Sequence, residues 1–313
     1  MLIDAGFIFL SLALLYYGGD FLVTGSINLS KRFKVSTFFI GAVIIGFGTS
    51  APEFAVSIMA SLHGSGDLAL ANIIGSNITN VGLVLGATAL IAPLTIEPRR
   101  FNKETPALII ASFVICVFAW NNYLSIFEGL IMIALLFIYL VNSFKSNQCI
   151  SDNIEEGSSF IDTKKPAFQF SLTIAGMVML IIGANLMVQG ATNIARSIGV
   201  SEWFIGISIV AMGTSLPEIV SSIIAAKRGH GDMAIGNVFG SNIFNILMVI
   251  GVASTIHPIA INENIHADLI YTTVLTCLLI FLIRIRHTIK KLEGVILVLL
   301  YAVYMVLKAL NIL

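Results

Sequence analysis

The sequence predicts an all-α membrane protein whose ten transmembrane helices form two inverted five-helix repeats. Three observations predict this fold: an apolar composition, a one-sided placement of basic residues, and an internal repeat. Of 313 residues, 57% are hydrophobic and 11% are charged, and the mean hydropathy is +0.97. Soluble domains carry about 25% charged residues, so the composition excludes a soluble globule. The net charge of zero gives no indication of a nucleic-acid partner.

Ten apolar segments are long enough for a helix to cross the hydrocarbon core of a bilayer. The loops between them are short and leave no room for a separate soluble domain. We expect no cofactor, since the three cysteines have no metal-binding spacing. The predicted spans are residues 5–27, 36–62, 68–93, 105–121, 123–144, 168–196, 201–226, 233–257, 266–286 and 292–310.

Basic residues are concentrated in every second loop between these spans. Fifteen of the 17 Lys and Arg residues follow odd-numbered spans, and only Arg196 and Lys308 fall on the other side. Because cytoplasmic loops carry the excess of Lys and Arg, the loops after odd-numbered spans are predicted to be cytoplasmic. We therefore expect a multi-pass protein of the cell membrane with both termini outside.

An internal repeat relates the two halves of the chain. The segment from Leu14 to Asn80 superimposes without a gap on the segment from Met179 to Asn245, and we call this pairing of positions the repeat alignment. Polar residues and glycines match in register, which chance similarity between apolar helices does not produce. The matching segments include GFGTSAPEFAVSIMAS with AMGTSLPEIVSSIIAA (46–61 and 211–226) and GDLALANIIGSNITN with GDMAIGNVFGSNIFN (66–80 and 231–245).

The repeat is expected to be inverted. Each copy holds five spans, an odd number, so the second copy enters the membrane from the opposite side. Inverted repeats are typical of transporters, whose substrate sites lie near the midplane where the repeats meet. We predict a first repeat at residues 1–144, a flexible cytoplasmic linker at 145–166 and a second repeat at 167–313.

Two carboxylates at equivalent positions are the strongest functional signal. Glu53 and Glu218 lie mid-span, each within Gly-Thr-Ser-x-Pro-Glu. Ionisable residues inside a membrane are costly and usually functional. The proline and glycine of the motif should break the helix and free backbone carbonyls at membrane depth. Carboxylate, hydroxyl and carbonyl oxygens suit Na⁺ and Ca²⁺ better than a soft metal. The expected hydroxyl ligands are Thr49, Ser50, Thr214 and Ser215.

A second repeated element, Gly-Ser-Asn-Ile-x-Asn, adds neutral oxygens. We expect Asn80 and Asn245 to be cation ligands. For Asn77 and Asn242 a ligand role and hydrogen bonding between helices are equally open. Asp67 and Asp232 open spans 3 and 8 and are interpreted as helix N-caps.

With these motifs in hand, the sequence resembles the sodium/calcium exchanger family of the cation/Ca²⁺ exchanger superfamily, whose two α-repeats look like the paired GTSAPE/GSNITN and GTSLPE/GSNIFN segments. The resemblance implies that broken helices 2, 3, 7 and 8 form the ion core and that spans 1 and 6 move against it. It also implies that Glu53 and Glu218 are shared Ca²⁺ and Na⁺ ligands. The further oxygens that it implies come from the side chains of Thr49, Ser50, Thr214, Ser215, Ser76 and Ser241 and from the carbonyls of Gly46 and Ala211.

The expected function is therefore secondary antiport of Na⁺ against Ca²⁺ by alternating access. Asn245 stands where many relatives have Asp, which predicts independence of K⁺. The proton-coupled branch typically has Gly-Asn-x-x-Glu where this chain has Thr-Ser-x-Pro-Glu, which favours Na⁺ coupling. A Ca²⁺/H⁺ exchanger and a K⁺-dependent Na⁺/Ca²⁺ exchanger are the alternatives.

More distant functional classes are less favoured. Inverted repeats with a midplane site suit a transporter better than a channel. An enzyme is not expected, because no histidine lies beside either glutamate in the sequence. The expected partners are the two transported ions and the lipid bilayer, and no protein partner is evident.

Overall fold

The computed structural model describes residues 2–147, 165–199, 211–262 and 264–310. Nearly all of them are helical. The predicted linker lies mostly outside the described residues, as does the first part of the seventh predicted span. The helices are α1 (Leu2–Phe33), α2 (Thr37–Thr49), α3 (Ala51–Leu62), α4 (Gly66–Ile91), α5 (Pro98–Phe118), α6 (Ile126–Asn147), α7 (Pro166–Ser197), α8 (Ala211–Thr214), α9 (Leu216–Lys227), α10 (Gly231–Ile256), α11 (His266–Arg286) and α12 (Lys291–Ala309).

Within these described ranges, eight helices are long and apolar enough to cross a membrane. The pair α2 and α3 forms a ninth candidate span, bent by 46° at Ser50. Helices α8 and α9 are separated in the same way at Ser215. The chain is therefore a multi-pass integral membrane protein, and a tenth span stays a prediction because residues 201–210 are not described.

Helices α4 and α10, which come directly after the two interrupted spans, lie at the centre of the protein. Of the apolar 18-residue stretch in each helix, 89% is buried inside the protein in α10 and 72% in α4, whereas only 22% is buried in the peripheral α12. Glycines allow the closest approaches between helices. A Cβ atom at Gly240 of α10 would lie 1.9 Å from the carbonyl oxygen of Ala42 in α2, so only glycine fits there.

Four two-residue strands connect helix ends within the described ranges. Strand β1 (Leu94–Thr95) pairs antiparallel with β4 (Thr288–Ile289), and β2 (Tyr123–Leu124) pairs antiparallel with β3 (Ile259–Ala260). Continued along the chain without a gap, the repeat alignment equates β1 with β3 and β2 with β4. The two strand pairs are therefore equivalent parts of the two halves.

The third and eighth predicted spans differ from expectation, because α4 and α10 are continuous rather than broken. Neither helix contains a proline. Each instead changes to π-helical hydrogen bonding, over Asn80–Leu85 and Phe244–Ile250. A π-helical stretch loosens the helix without ending it and is frequent at functional sites.

The N-cap interpretation of the two aspartates is wrong. The N-cap residues of α4 and α10 are Ser65 and His230, and the aspartates lie in the first turn. Asp67 accepts hydrogen bonds from the backbone and side chain of Asn262. Asp232 accepts one from Arg100 at 3.0 Å. Asp67 thus fastens the segment before α11 to α4, and Asp232 fastens the first turn of α5 to α10.

Candidate cation site

The two glutamates lie where the second and seventh predicted spans are interrupted. The interrupting residues have nearly the same backbone conformation, with φ −80° and ψ 2° at Ser50 and φ −89° and ψ 5° at Ser215. A proline in the first turn of α3 and of α9 supports a new helix start, since it needs no backbone donor there. Glu53 and Glu218 follow in that same turn, and each is 1% exposed. The helix N-terminus favours a negative charge at this position.

Buried oxygen atoms without a hydrogen-bond partner concentrate around these glutamates. In the described part of the chain, thirteen buried side-chain nitrogen or oxygen atoms have no hydrogen-bond partner, and seven of them belong to three pairs of equivalent residues. Buried polar atoms are normally paired, so this concentration marks a place built to receive a ligand. The seven atoms are both carboxylate oxygens of Glu53, Oε2 of Glu218, Oγ of Ser50 and Ser215, and Oδ1 of Asn80 and Asn245.

The helices bring the three pairs of residues together across the two halves. Helix α9, which carries Glu218, packs against the π-helical stretch that begins at Asn80. Helix α3, which carries Glu53, packs against the stretch that contains Asn245. The two carboxylates are near enough to repel each other. The arrangement offers only oxygen donors, which are the ligands that Na⁺ and Ca²⁺ prefer.

Asn77 and Asn242 hold the central helices α4 and α10 together. Their side-chain Nδ2 atoms donate to each other's backbone carbonyl, at 3.3 and 3.4 Å. Their Oδ1 atoms accept hydrogen bonds from Nδ2 of Asn245 at 3.0 Å and of Asn80 at 3.1 Å. Of the two roles that the sequence left open, the structure shows hydrogen bonding between helices.

Thr49 of the first repeat and Ser241 of the second repeat lie close together near the site. The Thr49 hydroxyl donates to the carbonyl of Ile45 at 3.0 Å and lies 3.4 Å from the Ser241 hydroxyl. Ser241 donates to the Gly46 carbonyl at 3.3 Å, and the backbone N–H of Ser50 donates to the same oxygen at 3.2 Å. The Gly46 carbonyl thus accepts two hydrogen bonds already, so binding an ion there would require Ser241 to rotate away.

The remaining predicted ligands lie on α4 and α8. Ser76 is buried in α4, directly before Asn77. Thr214 is half-buried at the end of α8, and Ala211 begins that helix.

Sequence reasoning missed Asn72 and Asn237. Asn72 donates to the backbone carbonyl of Glu53 at 3.3 Å and to Ser57 at 2.9 Å. Asn237 donates to Ser221 and Ser222, and its Oδ1 lies 3.3 Å from the Thr49 hydroxyl. Both residues therefore support the broken helices. The signal was present, because the repeat alignment pairs the two asparagines with each other.

Acidic residues elsewhere do not enlarge the site. Among the residues that the structure describes, no group of three or more His, Cys, Asp and Glu side chains could hold a metal ion. Two carboxylates are therefore the acidic component of this candidate site, and its other donors are neutral.

Comparison with known proteins identifies the family. The family model described as sodium/calcium exchanger protein matches residues 3–145 and 168–310. The putative antiporter CaxA of Alkalimonas amylolytica is 34% identical over 97% of this chain and 98% of its own length. The sodium/calcium exchanger MaX1 of Methanosarcina acetivorans is 29% identical over 97% of this chain and 99% of its own length. A solved structure of the sodium-calcium exchanger NCX_Mj, soaked with Na⁺ and Sr²⁺, superimposes with a TM-score of 0.85 at 33% identity and covers 98% of each chain. On these grounds, the chain belongs to the sodium/calcium exchanger protein family.

Proposed function

We propose that this protein exchanges Na⁺ for Ca²⁺ across the membrane, with Glu53 and Glu218 as the central ligands of both ions. The observation that carries the proposal is the set of seven buried oxygen atoms without partners, contributed by equivalent residues of the two halves. An unpaired buried carboxylate is strongly unfavourable unless a cation or a proton neutralises it. A hard cation bound between the two halves would neutralise both carboxylates.

The charge of the site explains why the two ions would compete. Two carboxylates neutralise one Ca²⁺ or two Na⁺. Holding both kinds of ion together would leave excess positive charge buried in a medium of low dielectric constant. Binding of one kind therefore expels the other, and this competition is the physical basis of antiport.

Alternating access accounts for the arrangement of the helices. We propose ten spans in two inverted repeats, at residues 1–144 and 167–313, joined by a cytoplasmic linker at 145–166, with both termini outside. In this arrangement the site lies near the midplane, between the broken spans and helices α4 and α10. An open groove of about 540 Å³ runs along α3, lined by residues that include Ala55, Val56 and Met59. On the proposed topology this groove opens to the outside.

Independence of K⁺ follows from Asn245. A carboxylate at this position would give the site three negative charges, of which Ca²⁺ neutralises two, and a monovalent ion could supply the third. Asparagine keeps the oxygen and removes the charge. We therefore propose that K⁺ has no counter-ion in this site and that the protein does not require it.

The test is uptake of radioactive Ca²⁺ into liposomes that contain the purified protein and internal Na⁺. Uptake is expected to need the outward Na⁺ gradient and to continue unchanged when choline replaces K⁺ on both sides. Uptake driven by a pH gradient without Na⁺ would establish the Ca²⁺/H⁺ alternative. An absolute requirement for K⁺ would establish the K⁺-dependent one.

A further inference from the structure

Four asparagines at the centre of the protein form one hydrogen-bonded unit. They are Asn77 and Asn80 of α4 with Asn242 and Asn245 of α10, and each is 1% exposed. The repeat alignment exchanges the members of the unit, so the unit has approximate twofold symmetry. We call it the asparagine bracket.

The bracket fixes the direction of every side-chain amide in it. A backbone carbonyl only accepts hydrogen bonds, so the Asn77 side chain must turn its Nδ2 toward the Asn242 carbonyl, 3.3 Å away. Its Oδ1 then faces Asn245 and accepts the hydrogen bond from Asn245 Nδ2 at 3.0 Å. The Nδ2 of Asn245 is thereby occupied, and its Oδ1 is left on the other side of the amide without a partner.

The same chain of hydrogen bonds runs in the other half. The Asn77 carbonyl fixes Asn242, whose Oδ1 accepts from Nδ2 of Asn80 at 3.1 Å. The Oδ1 of Asn80 is again left without a partner. Two backbone carbonyls thus determine the direction of both outer amides.

Orientation decides what an asparagine offers to a cation. The Oδ1 end is an acceptor that can coordinate the ion, whereas the Nδ2 end carries two partly positive hydrogens that repel it. An amide without a fixed neighbour can flip, exchanging the places of Oδ1 and Nδ2, and present the wrong end. A ligand is effective when neighbouring hydrogen bonds hold its orientation.

We propose that Asn77 and Asn242 are positioning residues that hold Asn245 and Asn80, respectively, with Oδ1 toward the transported cation. This inference rests on the proposed function, because it needs a cation site between the two halves. The Oδ1 atoms of Asn77 and Asn242 already accept hydrogen bonds within the bracket, whereas those of Asn80 and Asn245 have no partner, so the ligand role is assigned to Asn80 and Asn245.

The proposal predicts which second substitution rescues which defect. Asn77→Ala removes the acceptor that holds Asn245, so the amide can turn and the KM for Ca²⁺ should rise by roughly tenfold or more. A carboxylate has no donor end, so in an Asn245→Asp background Asn77→Ala should change the KM by less than about twofold. In an Asn80→Asp background, which adds the same charge, the full effect of Asn77→Ala should remain.

The mirror set serves as a second, independent test. The effect of Asn242→Ala should disappear in the Asn80→Asp background and persist in the Asn245→Asp background. Each comparison is made within one background, so any change that the new charge itself causes does not enter. If Asn77→Ala raises the KM equally in all three backgrounds, Asn77 is only a packing residue and the proposal is wrong.

A measurement that does not need transport separates this proposal from the proposed function. In protein labelled with ¹⁵N-asparagine, the side-chain amide of Asn245 should exchange its hydrogens slowly in the wild type and at least about tenfold faster in Asn77→Ala. Asn77→Leu, which keeps the size of the side chain and also lacks an acceptor oxygen, is the variant to use if Asn77→Ala does not fold. Slow exchange in a wild-type protein that fails to exchange Na⁺ for Ca²⁺ would leave the bracket intact and refute only the antiport. Equally fast exchange in the wild type would refute the bracket.

Discussion

The two halves of this protein are nearly identical at the site and different around it. Glu53 and Glu218 are equally buried, and each has unpartnered carboxylate oxygen. The helices that carry them are packed differently further along. In α3, Met59 is 54% exposed, whereas its counterpart in α9, Ile224, lies against α1, where a Cβ atom at Gly19 would be only 2.6 Å from its Cδ1. The two halves therefore differ in the packing of the helices around the site and not in the residues proposed as ligands.

An ion pair joins α1 to the end of α9, where α1 lies against Ile224. Arg228, which follows α9, contacts Asp20 of α1 and donates a hydrogen bond to Thr24 at 2.6 Å. The repeat alignment pairs Arg228 with His63 and Asp20 with Asn185, and both of these residues are exposed. A charged contact thus exists in one half, where α1 covers α9, and has no charged equivalent in the other.

The largest expected effect tests the symmetric part of this comparison. Glu53→Gln and Glu218→Gln keep the shape of the side chain and remove half of the negative charge of the site. We expect each variant to lose Na⁺-driven Ca²⁺ uptake by about 100-fold or more, because one carboxylate cannot neutralise Ca²⁺ in a buried site. Uptake into liposomes measures the loss, and gel filtration verifies that the variants remain folded. Robust exchange by both variants would remove the basis of the proposed site.

Symmetry also decides how much could be predicted from the sequence. The two glutamates, the serines beside them and Asn80 with Asn245 were predictable, because motif and repeat identify polar residues inside apolar spans. The bracket was not, since Asn77 and Asn245 meet only when α4 crosses α10. The continuity of α4 was missed because π-helical bonding depends on packing and has no marker as clear as proline. The open groove could not be predicted either, because equivalent sequences do not reveal which half is covered.

The next effect tests the difference in access. In a protein without native cysteines, a cysteine is introduced at either of two equivalent positions, as Met59→Cys or Ile224→Cys. Met59 lines the open groove, whereas Ile224 is half-buried and lies against Gly19 of α1. On the proposed topology Met59 lies toward the outside and Ile224 toward the cytoplasm, so both variants are labelled with a membrane-impermeant thiol reagent in right-side-out and in inside-out membrane vesicles. We expect Met59→Cys in right-side-out vesicles to react about tenfold or more faster than Ile224→Cys in inside-out vesicles, because local exposure governs such reactions. The cysteine-free parent gives the background rate.

Equal labelling of the two positions would show that the halves do not differ in access. Faster labelling of Met59→Cys from the cytoplasmic side would reverse the proposed orientation. Labelling of neither position would mean that the groove along α3 is filled by lipid rather than water.

The smallest effect concerns the ion pair between Asp20 and Arg228. Both side chains are about one-third exposed, at 36% and 34%, and exposed ion pairs contribute at most about 1 kcal/mol. Asp20→Asn should therefore increase the labelling rate of a cysteine at position 224 in inside-out vesicles by about two- to fivefold, because α1 would separate from α9 more often. Arg228→Gln should have an effect of similar size, and the two effects should not add, since either substitution breaks the same contact.

Lys227→Gln is the matched control, because it removes one exposed positive charge next to Arg228 and leaves the pair intact. If Lys227→Gln accelerates labelling as much as Asp20→Asn does, general electrostatics rather than this contact keeps α1 on α9. If labelling is unchanged in Asp20→Asn, the packing of Gly19 against Ile224 is sufficient to keep that side closed.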